Sequence, residues 1–154
     1  SPAEPPEGRP ALLREAEEII LEGDTSDNIV VRLGGLYGPG RSPIEWLRRP
    51  GFRERLGGSA EAWMNWIHID DAAAAVCAAA RRGRKGELYL GVDGAPVKRI
   101  DFYQFAAELA GEELPELDTA SADRGKRLSN RKLLEELGVS LLYPDYRRGL
   151  ESLA

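Results

Sequence analysis

The residues whose types best suit catalysis are a histidine and two aspartates, His68, Asp70 and Asp71, in the stretch NWIHIDD. An imidazole beside carboxylates can act as a general acid or base near neutral pH. A lone histidine is more often a structural hydrogen-bonding group, and aspartates that open a helix are more often caps. Both interpretations stay open for His68, and capping is the favoured role of the two aspartates.

A glycine cluster follows an apolar run, where a phosphate-binding loop would stand, at Gly35, Gly38 and Gly40. Its spacing is G-x-x-G-x-G, whereas dinucleotide-binding loops have G-x-G-x-x-G. Pro39 also removes a backbone N–H of the kind that holds a pyrophosphate. The cluster therefore indicates a tight, substrate-facing turn at the carboxyl end of a strand.

Composition excludes several other kinds of site. With one cysteine, Cys77, and one histidine, the chain has neither an intramolecular disulfide framework nor a conventional zinc site. The net charge of −5 argues against a nucleic-acid partner. Two basic runs, Arg81 to Lys85 and Arg124 to Lys132, are interpreted as solvated helix ends.

Hydropathy gives no indication of a membrane. The longest apolar run, Ala72 to Ala80, is far shorter than the ~20 residues of a membrane span. The opening SPAEPPEGRP shows no secretory signal, so we expect a cytoplasmic protein.

Strands and helices alternate along the chain, which predicts an α/β fold. Helices are predicted at 10–23, 44–49, 70–82, 101–110, 129–137 and from 144 onward. Strands are predicted at 28–33, 62–69, 86–92, 96–99 and 126–129, with the loop 34–43 after the first of them. The β-branched run 28–33 is typical of a parallel strand covered on both faces. Asp70 or Asp71, Asp101 and Ser129 are the expected helix caps.

The chain of 154 residues predicts one domain, with residues 1–8 as an extended arm or linker and 9–154 as the folded part. A complete doubly wound domain opens with a strand, whereas here a helix comes first. About three strands are available for a parallel sheet, which is few. The order of elements therefore indicates the second half of a larger fold.

Four stretches support a more specific interpretation: VVRLGGLYGPGR, NWIHIDDAAAA, GELYLGVDGAPV and LSNRKLLEELGVSLLYPDYRRGL. In this order they resemble the C-terminal half of the NAD(P)-dependent epimerase/dehydratase group, the extended branch of the short-chain dehydrogenases/reductases, and its atypical members most. The resemblance implies the C-terminal part of a doubly wound, Rossmann-like parallel sheet with a small substrate-binding region. It also implies NAD or NADP as cofactor, held mainly by an N-terminal half.

The resemblance implies roles for particular residues. The family's R-x-x-N-x-Y-G-P motif corresponds to Arg32–Pro39, so Leu33, Gly34 and Gly35 would present backbone to the nicotinamide. The family's H-V-x-D motif corresponds to His68–Asp71, on the substrate side. We expect His68 to carry a proton and the substrate to be bound by Tyr37, Arg41 and Asn65.

Departures from the family pattern leave the chemistry open. The family's Tyr-x-x-x-Lys pair, which supplies its acid and base, aligns with Arg9 and Leu13, and its motif asparagine aligns with Gly35. One hypothesis is the substrate-side portion of an NAD(P)-dependent oxidoreductase or epimerase-like protein, inactive alone, with a small-molecule substrate and an N-terminal half as partners. A second is a non-catalytic binding or scaffold module. A third is self-association through exposed sheet edges.

Overall fold

The computed structural model describes residues 8–23, 28–52 and 57–154; residues 1–7 of the predicted arm lie outside this part. The helices are Arg9–Glu22 (α1), Pro43–Arg48 (α2), Ile69–Arg82 (α3), Arg99–Ala110 (α4), Arg131–Leu137 (α5) and Tyr146–Glu151 (α6). The strands are Val30–Leu33 (β1), Gly35–Tyr37 (β2), Trp63–Met64 (β3), Trp66–His68 (β4), Leu88–Gly91 (β5) and Val97–Lys98 (β6). The fold is α/β, as predicted.

Two of the three strand pairs in the described residues are parallel. β1 pairs with β5 and β2 pairs with β4, whereas β3 and β6 form an antiparallel pair. The chain passes from one parallel pair to the other at two glycines, because Gly34 N donates to Gly91 O at 2.9 Å and Gly35 N donates to Asn65 O at 2.8 Å. The carboxyl ends of β1 and β5 are thereby linked to the amino ends of β2 and β4.

One core lies between α3 and the β1–β5 pair. Its buried residues are Ala75, Ala78, Ala79, Tyr89, Leu133 and Leu137. The alanines of α3 leave little side-chain bulk on this face, so the helix packs directly against the Tyr89 ring. Arg82 Nε donates to Leu137 O at 2.7 Å and fixes the end of α3 to the end of α5.

β1 is not covered on both faces, contrary to the expectation for its β-branched run. Arg32 and Leu33 are exposed, and β5 is the partner strand of β1 in the described residues. α1 contacts β1 through an ion pair between Glu17 and Arg32 rather than through an apolar face. The other edge of β1 has no strand beside it in this part of the chain.

The second core joins α2, α4 and α6 to the β2–β4 pair. It consists of Tyr37, Ile44, Leu47, Trp66, Val97, Phe102, Tyr103, Ala106, Ala107, Ala110, Tyr146 and Leu150. The Trp66 ring stacks on Phe102 with a centroid distance of 4.3 Å and an interplanar angle of 12°. Buried aromatic pairs of this kind fix the orientation of α4 against β4.

Three predicted segments differ in the structure, and Asn65 explains two of them. The predicted strand 62–69 is divided at Asn65 into β3 and β4, which pair with different strands. The predicted strand 126–129 does not form, because Asn65 Nδ2 donates to Lys126 O and Asn65 Oδ1 accepts from Leu128 N, both at 2.8 Å. A side-chain amide here takes the place of a strand partner. The predicted loop 34–43 contains β2.

The helix caps also differ from the predictions. His68, not Asp70 or Asp71, is the N-cap of α3, and its Nδ1 accepts from Asp70 N at 3.3 Å. α4 begins after Lys98 without a side-chain cap, so the predicted Asp101 capping box is absent. α5 has Asn130 rather than Ser129 as its N-cap residue. The predicted start of the last helix is confirmed, because Asp145 Oδ1 accepts from Arg148 N at 3.0 Å.

Candidate functional site

Three polar side chains meet at the carboxyl ends of the parallel strands. The register of β2 and β4 pairs Tyr37 with His68, whose rings are T-shaped with centroids 5.4 Å apart. Just after β5, Asp93 N donates to Trp66 O at 2.7 Å, which brings Asp93 beside β4. Ligands of open α/β sheets bind at this edge. We call Tyr37, His68 and Asp93 the strand-end cluster.

The strand-end cluster is buried. The exposed fractions are 0% for Tyr37, 1% for His68 and 4% for Asp93. Tyr37 Oη, His68 Nε2 and Asp93 Oδ2 have no hydrogen-bond partner among the described residues. Buried polar atoms are nearly always paired, so three such atoms in one place mark an unusual site.

Burial changes the acidity of two members of the cluster. It raises the pKa of the Tyr37 hydroxyl well above its ordinary value, and the Asp93 carboxylate adds to this effect. Burial also raises the pKa of Asp93 to about 7, against the opposing hydrogen bond from Ala95 N; the carboxylates of Asp145 and Asp71 raise it further. An aspartate that titrates near neutral pH is suited to hold or release a proton.

His68 has a defined tautomer in its neutral form. Its Nδ1 accepts from Asp70 N, so the proton of the neutral imidazole lies on Nε2. That Nε2–H is the unpaired buried donor of the cluster. The predicted role of His68 as a proton carrier stays a prediction, and its cap on α3 is a structural role beside it.

Asp71 fastens the chain that lies over the cluster. Its two carboxylate oxygens accept from Leu142 N at 2.7 Å and from Tyr143 N at 2.8 Å. The Tyr143 ring then packs on His68 with a centroid distance of 4.0 Å. Asp71 therefore holds a distant loop rather than capping its own helix.

The structure does not bring the other predicted substrate-binding residues into this cluster. Arg41 is exposed in the turn after β2, and its Nε donates a hydrogen bond to Leu36 O at 3.0 Å. Asn65 is half-buried, and its amide holds the backbone at Lys126 and Leu128. Substrate binding by Tyr37, Arg41 and Asn65 stays a prediction, and the burial of Tyr37 would require the chain above it to move.

The residues predicted to face the cofactor lie at the end of β1. A Cβ on Gly34 would fall 2.6 Å from Asn65 O, and one on Gly35 would fall 2.6 Å from the Trp66 ring. Both glycines are therefore required by the packing of β4 alone. Leu33 is exposed and, with Leu36, lines an apolar surface. The contact of Leu33, Gly34 and Gly35 with a nicotinamide stays a prediction.

Sequence reasoning missed Asp93, Tyr143 and Gly149. A Cβ on Gly149 would fall 1.8 Å from the Tyr37 hydroxyl oxygen, so α6 lies directly on the cluster. Asp93 was recognisable in principle, because it follows a predicted strand and parallel strands end at one edge. Nothing in the spacing of Tyr143 or Gly149 indicates which strand they cover.

Neither a metal cluster nor a membrane-spanning helix occurs in the part of the chain that the structure describes. Residues 8–23, 28–52 and 57–154 contain no group of three or more His, Cys, Asp or Glu side chains placed to hold a metal ion. None of the helices in those ranges is both long and apolar enough to span a membrane.

No protein-family model matches the chain. Protein YeeZ of Escherichia coli K12 is 28% identical over 148 residues, which are 94% of this chain and 52% of YeeZ. A conserved protein of unknown function from Silicibacter pomeroyi is 33% identical, with a TM-score of 0.80 over 96% of this chain and 56% of its own. The chain thus spans about half the length of the relatives that it matches.

Two other similar structures are described by an enzyme family or an activity. A candidate NAD-dependent epimerase/dehydratase from Methylobacillus flagellatus is 29% identical, with a TM-score of 0.72 over 99% of this chain and 55% of its own. The chain resembles the C-terminal half of an extended short-chain dehydrogenase/reductase. The dTDP-glucose 4,6-dehydratase of Bacillus anthracis, solved with NAD, has the same fold, with 22% identity and a TM-score of 0.76 over 98% of this chain and 52% of its own.

These similarities confirm the predicted family resemblance and the predicted fold class. The small parallel sheets and their flanking helices match the C-terminal region of Rossmann-like relatives. Relatives in this group bind NAD or NADPH. The position of the cofactor and the roles of individual residues in this chain remain proposals.

Proposed function

We propose that the chain is the substrate-side portion of a cytoplasmic NAD(P)-dependent oxidoreductase or epimerase-like protein of atypical type. The main cofactor site would lie on an N-terminal half, and this chain would be inactive without it. The similarity to about half the length of NAD-dependent epimerase/dehydratase relatives supports the proposal. The observation that carries it is an uncovered apolar surface beside the free edge of β1.

That surface runs across α1, β1 and α3. Ile20, Val31 and Val76 line one cleft, and Leu33, Leu36, Ile69 and Val76 line a second, so that Val76 joins the two. On α1 the side chains of Leu12, Leu13, Ile19 and Ile20 are exposed, with fractions from 45% to 66%. We call this the α1–α3 apolar surface. Exposed apolar side chains that lie beside apolar clefts mark surfaces that contact another part of a protein.

The occupant that we propose is the N-terminal half of the same protein. Parallel sheets are normally covered on both faces, and β1 has a free edge and two exposed residues in the described part of the chain. A further parallel strand beside β1 would satisfy its backbone groups. The length of the relatives leaves room for such a half.

Within the complete site, this chain would contribute groups for binding rather than a full catalytic set. Leu33, Gly34 and Gly35 would lie along the nicotinamide, which supplies the hydride chemistry when it is bound. Arg41 would pair with an anionic group of the substrate, because its two terminal amino groups have no hydrogen-bond partner among the described residues. Tyr37 and Asn65 would hydrogen-bond the substrate, and His68 would move a proton.

A non-catalytic binding or scaffold module is the second candidate. The observation in its favour concerns α1, where the family's Tyr-x-x-x-Lys pair aligns with Arg9 and Leu13. Leu13 is 59% exposed and belongs to the α1–α3 apolar surface, so it contributes packing area rather than a charge. A protein that binds the cofactor but shows no turnover with any sugar-nucleotide or small carbonyl substrate would favour this candidate.

Cofactor titration tests the proposal. The native-length protein and the 154-residue chain are each titrated with NADH and NADPH, and binding is followed by energy transfer from tryptophan. We expect saturable binding by the native-length protein and none by the shorter chain, whose folding is checked by circular dichroism. Sub-millimolar binding by the folded shorter chain would contradict the proposal.

A matched pair of variants tests the apolar surface in the native-length protein. Ile69 and Leu114 are exposed to 41% and 42%, and Ile69 but not Leu114 lies on the α1–α3 apolar surface. We expect Ile69→Asp to lower the melting temperature and weaken cofactor binding, because a charge would be buried between the halves. Leu114→Asp should leave both unchanged. Equal effects of the two variants would show that this surface is not covered by the other half.

A further inference from the structure

The Tyr143 ring lies against the His68 imidazole, although the two residues are far apart in the sequence. Their ring centroids are 4.0 Å apart, and the ring planes meet at 42°. His68 is 1% exposed at the carboxyl end of β4, whereas Tyr143 is half-buried in the loop between α5 and α6. The Tyr143 ring therefore helps to bury the imidazole.

Hydrogen bonds alone do not fix the orientation of the imidazole. Its Nδ1 accepts from Asp70 N at 3.3 Å, which is long for a hydrogen bond from a backbone N–H. The exposed Asp70 carboxylate is 3.6 Å from the same nitrogen, and the buried Nε2–H has no hydrogen-bond partner among the described residues. Because the terminal side-chain torsion of histidine is soft, the packing of neighbouring groups must hold the ring.

Three groups pack around the imidazole. The Tyr37 ring is T-shaped to it at a centroid distance of 5.4 Å, and a Cβ on Gly38 would fall 3.4 Å from Nε2. Tyr37 is held beside His68 by the pairing of β2 with β4, and Gly38 follows directly in the chain. Tyr143 has the nearer ring but comes from a loop, so its position needs an anchor of its own.

Asp71 supplies this anchor. Its carboxylate is 1% exposed and accepts from Leu142 N at 2.7 Å and from Tyr143 N at 2.8 Å. Hydrogen bonds from backbone N–H groups to an ionised carboxylate are among the stronger ones in proteins. Asp71 lies in the first turn of α3, and His68 is the N-cap of the same helix. One short stretch of chain therefore sets both the imidazole and the loop that packs on it.

We propose that Tyr143 is a positioning residue for His68. Asp71 holds the Tyr143 backbone, and the Tyr143 ring holds the imidazole with its Nε2 beside Gly38 and its Nδ1 on the N–H of Asp70. The inference deepens the proposed function, because an imidazole that moves a proton must present one defined nitrogen to its partner. Its effect on turnover rests on the proposed role of His68, whereas the contact between the two rings does not.

NMR of the native-length protein tests the contact without any change to Tyr143. The His68 signals are those missing from the spectrum of His68→Asn. At about pH 8.5, where an ordinary imidazole is neutral, we expect a single tautomer with the proton on Nε2. We also expect nuclear Overhauser effects between the ring protons of His68 and Tyr143. Their absence from the wild-type spectrum would overturn the proposal.

A set of three variants separates the Tyr143 ring from the rest of the loop. Tyr143→Leu removes the ring and keeps an apolar side chain, so the imidazole should lose its single tautomer. Tyr143→Phe keeps the ring and should retain that tautomer. Leu142→Ala is the matched control, since Leu142 donates to the same carboxylate through its backbone but its side chain is 69% exposed. A single Nε2–H tautomer in Tyr143→Leu would overturn the proposal.

The anchor is tested by Asp71→Asn, which keeps the shape of the side chain but removes its charge and one acceptor oxygen. We expect the Overhauser effects between His68 and Tyr143 to weaken and the second tautomer to appear. Asp101→Asn, which changes an exposed carboxylate in the first turn of α4, should leave the His68 signals unchanged. Wild-type His68 signals in Asp71→Asn would overturn the assignment of Asp71 as the anchor.

Turnover links the position of the ring to the proposed function. Tyr143→Leu should lower kcat about tenfold to a hundredfold and leave KM unchanged, because a misplacement of about 1 Å can have this effect on rate. A kcat that falls in His68→Asn but not in Tyr143→Leu would overturn the proposal. An unchanged kcat in His68→Asn would instead contradict the proton transfer by His68, and the NMR spectra would then decide the positioning of the ring by themselves.

Discussion

The Tyr37 hydroxyl group lies against the backbone of Gly149, where a Cβ would fall 1.8 Å from its oxygen. This contact joins the end of β2 to α6 and leaves no room for any side chain at Gly149. The residue lies inside a helix, where glycine ordinarily costs about 1 kcal/mol relative to alanine. The close approach to Tyr37 is therefore the reason for a glycine at this place.

Gly149→Ala is expected to destabilise the protein despite the better helix propensity of alanine. Overpacking of a tight core typically costs about 1–3 kcal/mol, which exceeds the gain in propensity. Gly57→Ala is the control, since a Cβ there meets no atom of the described residues within 4 Å apart from its own chain neighbours. Chemical denaturation of both variants gives the comparison. A Gly149→Ala variant as stable as the wild type would show that α6 does not pack on Tyr37.

Asp70 and Asp71 are neighbours in the first turn of α3. Replacing each by alanine distinguishes the hydrogen bonds that Asp71 makes to the loop at 142–143 from the favourable effect of a negative charge at the start of the helix. Asp71→Ala leaves the N–H groups of Leu142 and Tyr143 without their carboxylate, which is expected to cost about 2–4 kcal/mol. Asp70→Ala removes an acidic side chain from the same first turn and is expected to cost less than about 1 kcal/mol. Thermal unfolding measures both. Equal losses would mean that Asp71 acts only on its own helix.

Local sequence signals predicted much of the fold because the chemistry that sets those elements is local. The start of α6 was predictable, because Asp145 accepts a hydrogen bond from the backbone N–H only three residues further along. The break at Asn65 could not be predicted, because its amide binds residues more than 60 positions away. The prediction that Asp71 caps its own helix was wrong for the same reason. The backbone groups that Asp71 binds are about 70 positions away in the sequence.

The candidate site was predictable in part. His68 was predicted on a strand and Tyr37 in the loop after β1, whereas the structure pairs the two residues at the carboxyl ends of β4 and β2. Their roles in substrate binding and proton transfer stay predictions. Their burial was not predictable, since it depends on how α6 and the loop before it fold back over that edge. Asp93 has a raised pKa because it is buried and because the carboxylates of the distant Asp145 and Asp71 act on it.

The raised pKa of Asp93 predicts how stability depends on pH. The folded state holds the Asp93 proton up to about pH 7, whereas the unfolded chain loses it near the ordinary value of 3.8. Between these values the native state binds more protons, so its contribution to stability falls as the pH rises, by up to ~1.4 kcal/mol per unit. Above about pH 7 this contribution has been lost. Denaturation between pH 4 and 8 measures the slope.

Asp93→Asn provides the reference for that slope. An amide does not titrate, so the stability of the variant relative to the wild type should increase with pH across the same range and level off near pH 7. A constant difference between the two proteins from pH 4 to 8 would mean that Asp93 titrates with an ordinary pKa.

The predicted pocket residues are tested by turnover of the native-length protein with its own substrate. Arg41→Ala should raise KM about tenfold to a hundredfold if the guanidinium binds an anionic group, since such a bond contributes ~1.5–3 kcal/mol. Arg49→Ala, another exposed arginine nearby in the sequence, is the control and should leave KM unchanged. Equal KM values in all three proteins would remove Arg41 from the substrate site.

His68 requires a variant that keeps its structural role. His68 caps α3, so His68→Ala would also cost about 1 kcal/mol of stability, whereas asparagine is itself a good N-cap. His68→Asn should therefore fold normally and lower kcat by about 10²- to 10⁴-fold if His68 transfers a proton, with the corresponding limb missing from the pH–rate profile. An unchanged kcat and pH profile would leave His68 with the helix cap as its whole role, because the imidazole would then take no part in turnover.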